Sequence, residues 1–162
     1  MKVLVLTLFC MPILLWAGIR SYYDITFGID CGGHIERAGS ANSIDLARQE
    51  MEVVVKYAEN HGVMSGYTSV LYNTPDEDLG FWFNNMKASL EELGRVKPTT
   101  SELEKSNLLI KLRESLMHHG NKSTDLTIPE GITVFPHNTA FAAFGYISLF
   151  IAMVGGLITR RY

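Results

Sequence analysis

The sequence predicts an all-α protein, a small extracytoplasmic helical bundle flanked by N- and C-terminal transmembrane helices. Three observations carry this. Two apolar segments, Val3–Ile19 and Ala140–Ile158, bracket the 162-residue chain. All 17 acidic residues lie between those segments, from Asp24 to Glu130. Within that interval, three stretches carry apolar residues at three- and four-residue spacing, each opened by a capping residue and followed by a glycine.

The first segment starts at Met1-Lys2 and stays uncharged to Ile19. Its apolar run, Val3 to Ala17, also suits a secretory signal, but cleavage favours small residues at positions −3 and −1. A cut after Ala17 places Leu15 at −3, and a cut after Gly18 places Trp16 there, so an uncleaved signal-anchor over residues 1–20 is expected. Pro12 is compatible, since membrane helices tolerate proline.

Ser21–Asn42 continues this helix outward and should break near Cys31-Gly32-Gly33, because Gly28, Gly32, Gly33 and Gly39 each cost about 1 kcal/mol relative to alanine in a helix. A helix from Ser43 to Asn60 follows, with Ile44, Ala47, Met51, Val54 and Ala58 on one stripe. Val63–Asn73 reads as a loop or a short extended piece. Thr74-Pro75-Asp76-Glu77 is a capping box with proline at the first helical position, and it opens a helix that closes at Gly94. Leu79, Trp82, Phe83, Met86, Leu90 and Leu93 form its buried face.

Ser101-Glu102-Leu103-Glu104 is a second capping box, and its helix is expected to reach Gly120. Leu108, Leu109, Leu112 and Leu116 mark its apolar side, while Glu102, Lys105, Lys111, Arg113 and Glu114 face water. His118 and His119 fall in its last turn, where the helix dipole favours an imidazolium by about 0.3–1 kcal/mol. Asp125–Pro136 reads as two short extended runs around the turn Ile128-Pro129-Glu130-Gly131.

The second apolar segment holds 19 uncharged residues, close to the roughly 20 that span a bilayer core. Thr159-Arg160-Arg161-Tyr162 closes the chain, and basic residues beside a span favour the cytoplasmic side. Residues 137–159 are therefore expected to form the second transmembrane helix, residues 160–162 a short cytoplasmic tail, and residues 21–136 the extracytoplasmic domain. Both termini are expected to be cytoplasmic. Roughly 115 outer residues suffice for one core.

Of 14 lysines and arginines, Lys2, Arg20, Arg160 and Arg161 belong to the ends, leaving ten against 17 acidic residues in 21–136, a net charge of −7 with histidines neutral. An acidic outer domain repels nucleic acid, so no such partner is expected. Cys10 and Cys31 lie about 30 Å apart on a continuous helix, far beyond disulfide reach. Cys31 then reads as a free buried thiol or as one half of an intermolecular bridge.

Cys31-Gly32-Gly33-His34 is the most reactive-looking string, with two residue types that ligate metals, but a zinc site normally needs three or four protein ligands. Asp76, Glu77 and Asp78 already serve the capping box. Asn121-Lys122-Ser123 is a formal glycosylation sequon. Ser148, Ala152 and Gly156 recur every four residues, a small-residue stripe that lets membrane helices approach, against the first span or against another chain. No nucleophile elbow, phosphate loop or dinucleotide fingerprint is present.

The layout resembles that of the sensory domains of bacterial transmembrane receptors, which continue into a cytoplasmic signalling module after the second span. The expected function is that of a non-enzymatic, membrane-anchored interaction or scaffold protein, an accessory subunit of a membrane or envelope assembly. Its expected surroundings are the lipid bilayer and a protein partner or a second copy of the chain, with no cofactor. The alternative is a sensor-like extracytoplasmic domain that binds a ligand or metal through Cys31, His34 and the aromatic residues Tyr67, Tyr72 and Trp82.

Overall fold

In a computed structural model, which describes residues 2–119 and 124–161, the protein is mostly helical. Gly120, the sequon Asn121-Lys122-Ser123 and Tyr162 lie outside the described residues. Helix α1 (Lys2–Phe27) outruns the apolar segment by about two turns. Gly28–Gly32 then form a single π-helical turn, and α2 (Gly33–Ser40) continues from it. The expected break at Cys31-Gly32-Gly33 is thus a local widening, and Leu6–Ser40 is one helix of 35 residues. The cause is local: the Gly33 N–H donates to the Gly28 carbonyl five residues back, and a Cβ at Gly33 would stand 3.1 Å from that oxygen. Glycine at position 33 admits the wider turn.

Ser43 is extended, and its hydroxyl accepts from the Leu46 N–H at 3.3 Å, which opens α3 (Ile44–Asn60). This helix packs back along α2, with Glu50 reaching His34 and Tyr57 meeting Phe27, so the two run antiparallel. Its C-terminal end therefore returns to the level of Phe27, the end of α1.

Thr74 and Pro75 open only a 3₁₀ turn, Pro75–Glu77, within which the Thr74 hydroxyl donates to Glu77 at 2.5 Å. Helix α4 (Leu79–Gly94) starts later than the sequence suggests, capped by Asp78, whose carboxylate accepts from the Phe81 N–H at 3.0 Å. The preceding backbone is engaged elsewhere. The Thr68 N–H donates to the Glu77 carbonyl and the Leu79 N–H to the Gly66 carbonyl, which ties residues 77–79 to the loop after α3.

Ser101 caps α5 (Glu102–Leu116) by accepting from the Glu104 N–H at 3.2 Å. The helix stops at Leu116, short of Gly120, because Met117 turns extended and packs its side chain onto Gly39. Arg113 reinforces this join by donating to the Gly39 carbonyl at 2.9 Å. Strand β1 (Met117–His119) pairs antiparallel with β2 (Thr124–Leu126), a two-stranded element that an all-α reading lacks. His118 and His119 stand in this strand, so a helix-dipole account of them does not apply.

After β2 the chain passes a 3₁₀ turn, Ile132–Val134, in place of the second extended run, and enters α6 (Asn138–Arg161). Thr133 donates to Asp24 at 2.7 Å and Asn138 to the Gly131 carbonyl at 2.8 Å, fixing the start of α6 beside the upper part of α1. One core joins α2 to α5: Ile35 and Ala38 meet Met51, Val54 and Ala58, with Leu79, Trp82, Phe83, Met86 and Leu93 from α4 and Leu112 and Leu116 from α5. The stripes read from the sequence are the faces buried here, with Leu90, Leu108 and Leu109 half-buried at its margin.

Candidate functional site

The paired apolar helices offer the most developed surface. Helices α1 and α6 pack antiparallel, Phe9 against Gly155 and Trp16 against Gly145. The Trp16 indole N–H donates to the Phe141 carbonyl at 3.0 Å, and the two rings stack with centroids 5.5 Å apart. Ser148 is fully buried on the same seam. The seam thus runs through Phe141, Gly145, Ser148 and Gly155, a spacing near 3.5 residues rather than the four of the Ser148/Ala152/Gly156 stripe. Ala152 is half-buried, and a Cβ at Gly156 would meet nothing within 4 Å. Sequence reasoning missed Gly145 and Gly155, and a search at heptad spacing finds both.

Away from the seam both helices expose large apolar side chains, among them Leu8 at 71% and Tyr146 at 73%. Such exposure along two whole helices is costly in water and natural in hydrocarbon. By length and composition each helix suffices to cross a membrane.

The π-turn separates the two residues of the Cys31-Gly32-Gly33-His34 string. Cys31, twelve residues beyond Ile19, is fully buried in the core, and its thiol is pushed up to about 12, by burial first and then by the negative charge of Asp30. A thiol held neutral is neither a nucleophile nor a metal ligand. Burial, with the neighbouring Cys31 and Asp30, also raises Tyr57, whose ring packs edge-on against Phe27 at 5.7 Å. His34 instead lies beside α3, its Nδ1 2.5 Å from a Glu50 carboxylate oxygen that Arg37 also approaches at 3.1 Å. This is an ion-pair cluster bridging α2 and α3. Among the described residues no three His, Cys, Asp or Glu side chains converge as a metal site would require.

Trp82 is buried with its indole N–H unpartnered among the described residues, and it lines a shallow cleft of about 290 Å³. That cleft lies between α4 and the segment Leu126–Pro129, and neither Cys31 nor His34 borders it. Tyr67 and Tyr72 stand exposed on the loop after α3. The five residues of the ligand-binding alternative therefore occupy four places.

No known protein family, curated protein or solved structure matches the chain.

Proposed function

We propose that the chain is a non-enzymatic, membrane-anchored interaction or scaffold protein, with α1 and α6 spanning the bilayer and the α2–α5 bundle outside it. Both termini are then cytoplasmic, and the role is that of an accessory subunit in a membrane or envelope assembly. The observation that carries this reading is the two-sidedness of α1 and α6, packed along one seam and exposing large apolar side chains away from it. Helix pairing of this kind satisfies the backbone within each helix and buries little apolar surface, as expected where lipid covers the rest. Cross-linking in intact membranes followed by purification in mild detergent tests it. A stoichiometric partner or a defined oligomer is expected, and a chain that runs alone as a monomer overturns the accessory role.

The second reading, a ligand-binding outer domain, is favoured by one observation, the unpartnered Trp82 indole N–H beside its cleft. A ligand there would bring a hydrogen-bond acceptor and an apolar body. Quenching or shifting of Trp82 emission on ligand addition, absent in a Trp82→Phe variant, would support it over the scaffold reading.

A further inference from the structure

Among the described residues outside the long helix Leu6–Ser40 and α6, the exposed large hydrophobic residues are Leu46, Met64, Tyr67, Val70, Leu71, Tyr72, Phe81, Leu103 and Ile110. Six of these nine fall on one loop and the first turn of the helix behind it. Leu71 and Tyr72, at 83% and 80% exposed, form its tip. The loop is not a free excursion. Thr68 is buried, Gly66 lies against the Phe135 ring, and the backbone bonds to residues 77 and 79 clamp the base.

The position of the loop decides what it meets. It follows the C-terminal end of α3, which has returned to the level of Phe27, and it rests on Phe135, three residues before α6 begins. Thr133 and Asp24 are bonded one turn nearer the apolar segment, five residues above Ile19, or about 7.5 Å along the helix. Leu71 is three residues beyond the clamped Thr68 and has about 10 Å of reach. The exposed apolar tip is thus within reach of the level from which the exposed apolar surfaces of both long helices begin. Residues 63–73 carry no charge, so no ionised side chain of the loop resists leaving water, whereas its polar backbone with Ser65, Ser69 and Asn73, and Asp76, Glu77 and Asp78 just beyond, limit the depth to the tip.

We propose that the tip of the loop 63–73 inserts shallowly into the outer leaflet of the bilayer crossed by α1 and α6, as a third membrane contact that fixes the tilt of the outer domain. Leu71 supplies the apolar anchor, and Tyr67 and Tyr72 suit the headgroup level, where amphipathic rings concentrate. The proposal rests on the membrane reading given above. Because the loop has no cation, insertion is driven by apolar transfer and is insensitive to salt.

The test uses the full chain in phosphatidylcholine vesicles, with an environment-sensitive fluorophore on single cysteines. Only Cys10 need be replaced, since the neutral, buried thiol of Cys31 resists labelling. Probes go to Leu71→Cys, to Leu14→Cys within α1, and to Leu103→Cys, exposed at 73% on α5. Lipids nitroxide-labelled near the headgroup should quench the Leu71 probe and blue-shift its emission, equally at low and high salt. The Leu14 probe should respond to deep nitroxides and the Leu103 probe to neither. Quenching at position 14 without quenching at 71 overturns the loop insertion and leaves the spans standing. Quenching at neither position overturns the membrane reading itself. A Leu71 probe shielded from aqueous quencher yet untouched by nitroxide lipid would mean that protein covers the tip, which also overturns the proposal.

Discussion

The indole of Trp16 and the carbonyl of Phe141 lie 3.0 Å apart, joining α1 to α6 across 125 residues of sequence. A backbone carbonyl inside a helix rarely takes a side-chain donor from another helix, and here the ring stack holds the donor in place. Trp16→Phe should keep most of the stacking and lose the hydrogen bond, lowering stability in detergent by about 0.5–1.5 kcal/mol. Trp16→Ala should cost more. Thermal unfolding of the two variants measures both, and equal melting temperatures would remove the bond from the account.

A side chain at position 155 would collide with Phe9, whereas position 156 is open. Gly155→Ile should therefore part α1 from α6 and lower the melting temperature, while Gly156→Ile should leave the fold intact. If Gly156→Ile instead dissolves a cross-linked oligomer without changing the melting temperature, that face serves a second chain.

Trp82→Ala should destabilise the outer domain by about 3–5 kcal/mol, the usual consequence of emptying a buried aromatic site. Glu91→Ala is the control. Its carboxylate pairs with the exposed Arg95 at 3.4 Å, a contact worth about 0.5 kcal/mol or less. Denaturant midpoints compare the two.

Alkaline pH should unfold the protein through Cys31. Its thiol is raised from 9.0 to about 12, so above pH 9 the unfolded chain loses a proton that the native state keeps. The stabilising contribution is complete below pH 9 and declines by about 1.4 kcal/mol per pH unit as pH rises towards 12. Tyr57, raised in the same direction, adds to the decline above pH 10. A Cys31→Ala variant should show a shallower loss of stability over that window, and native Cys31 should resist alkylation at pH 8 until denaturant is added.

The topology is open to cysteine accessibility at two exposed positions, Lys87 on α4 and Arg160 on α6. An impermeant thiol reagent applied to intact cells should label Lys87→Cys and spare Arg160→Cys. Labelling of both from outside would reverse the placement of the C-terminus.

Much of the fold was legible because it is local. Ser43 and Ser101 announce their helices through hydroxyls that reach the backbone three residues on, and the stripe through Trp82 and Met86 needs only its own period. What escaped depends on distant partners. Asp78 displaces Thr74 as the cap of α4 because Gly66 and Thr68 hold the neighbouring backbone. Met117 leaves the helix because Gly39, 78 residues earlier, offers a place for its side chain. The seam between α1 and α6 was half legible. Ser148 lies on it, but choosing Gly155 over Gly156 requires knowing where Phe9 stands.

The π-turn at Gly28–Gly32 sets an angular phase. Phe27, Cys31, Ile35 and Ala38 all point into one core, although the turn holds more residues than an α-helical turn. A turn closed over five residues instead of four absorbs one residue of rotation, so removing Ile29 and restoring ordinary α-helical winding would leave α2 in nearly the same phase relative to α1, whereas winding all the residues as α-helix would rotate α2 by about 100°. In that second case Ile35 and Ala38 would swing out from under α3, while α1 kept its grip on α6. The π-turn therefore sets the phase between two halves of one shaft, α1 seated on α6 below it and α2 beneath α3 and α5 above it.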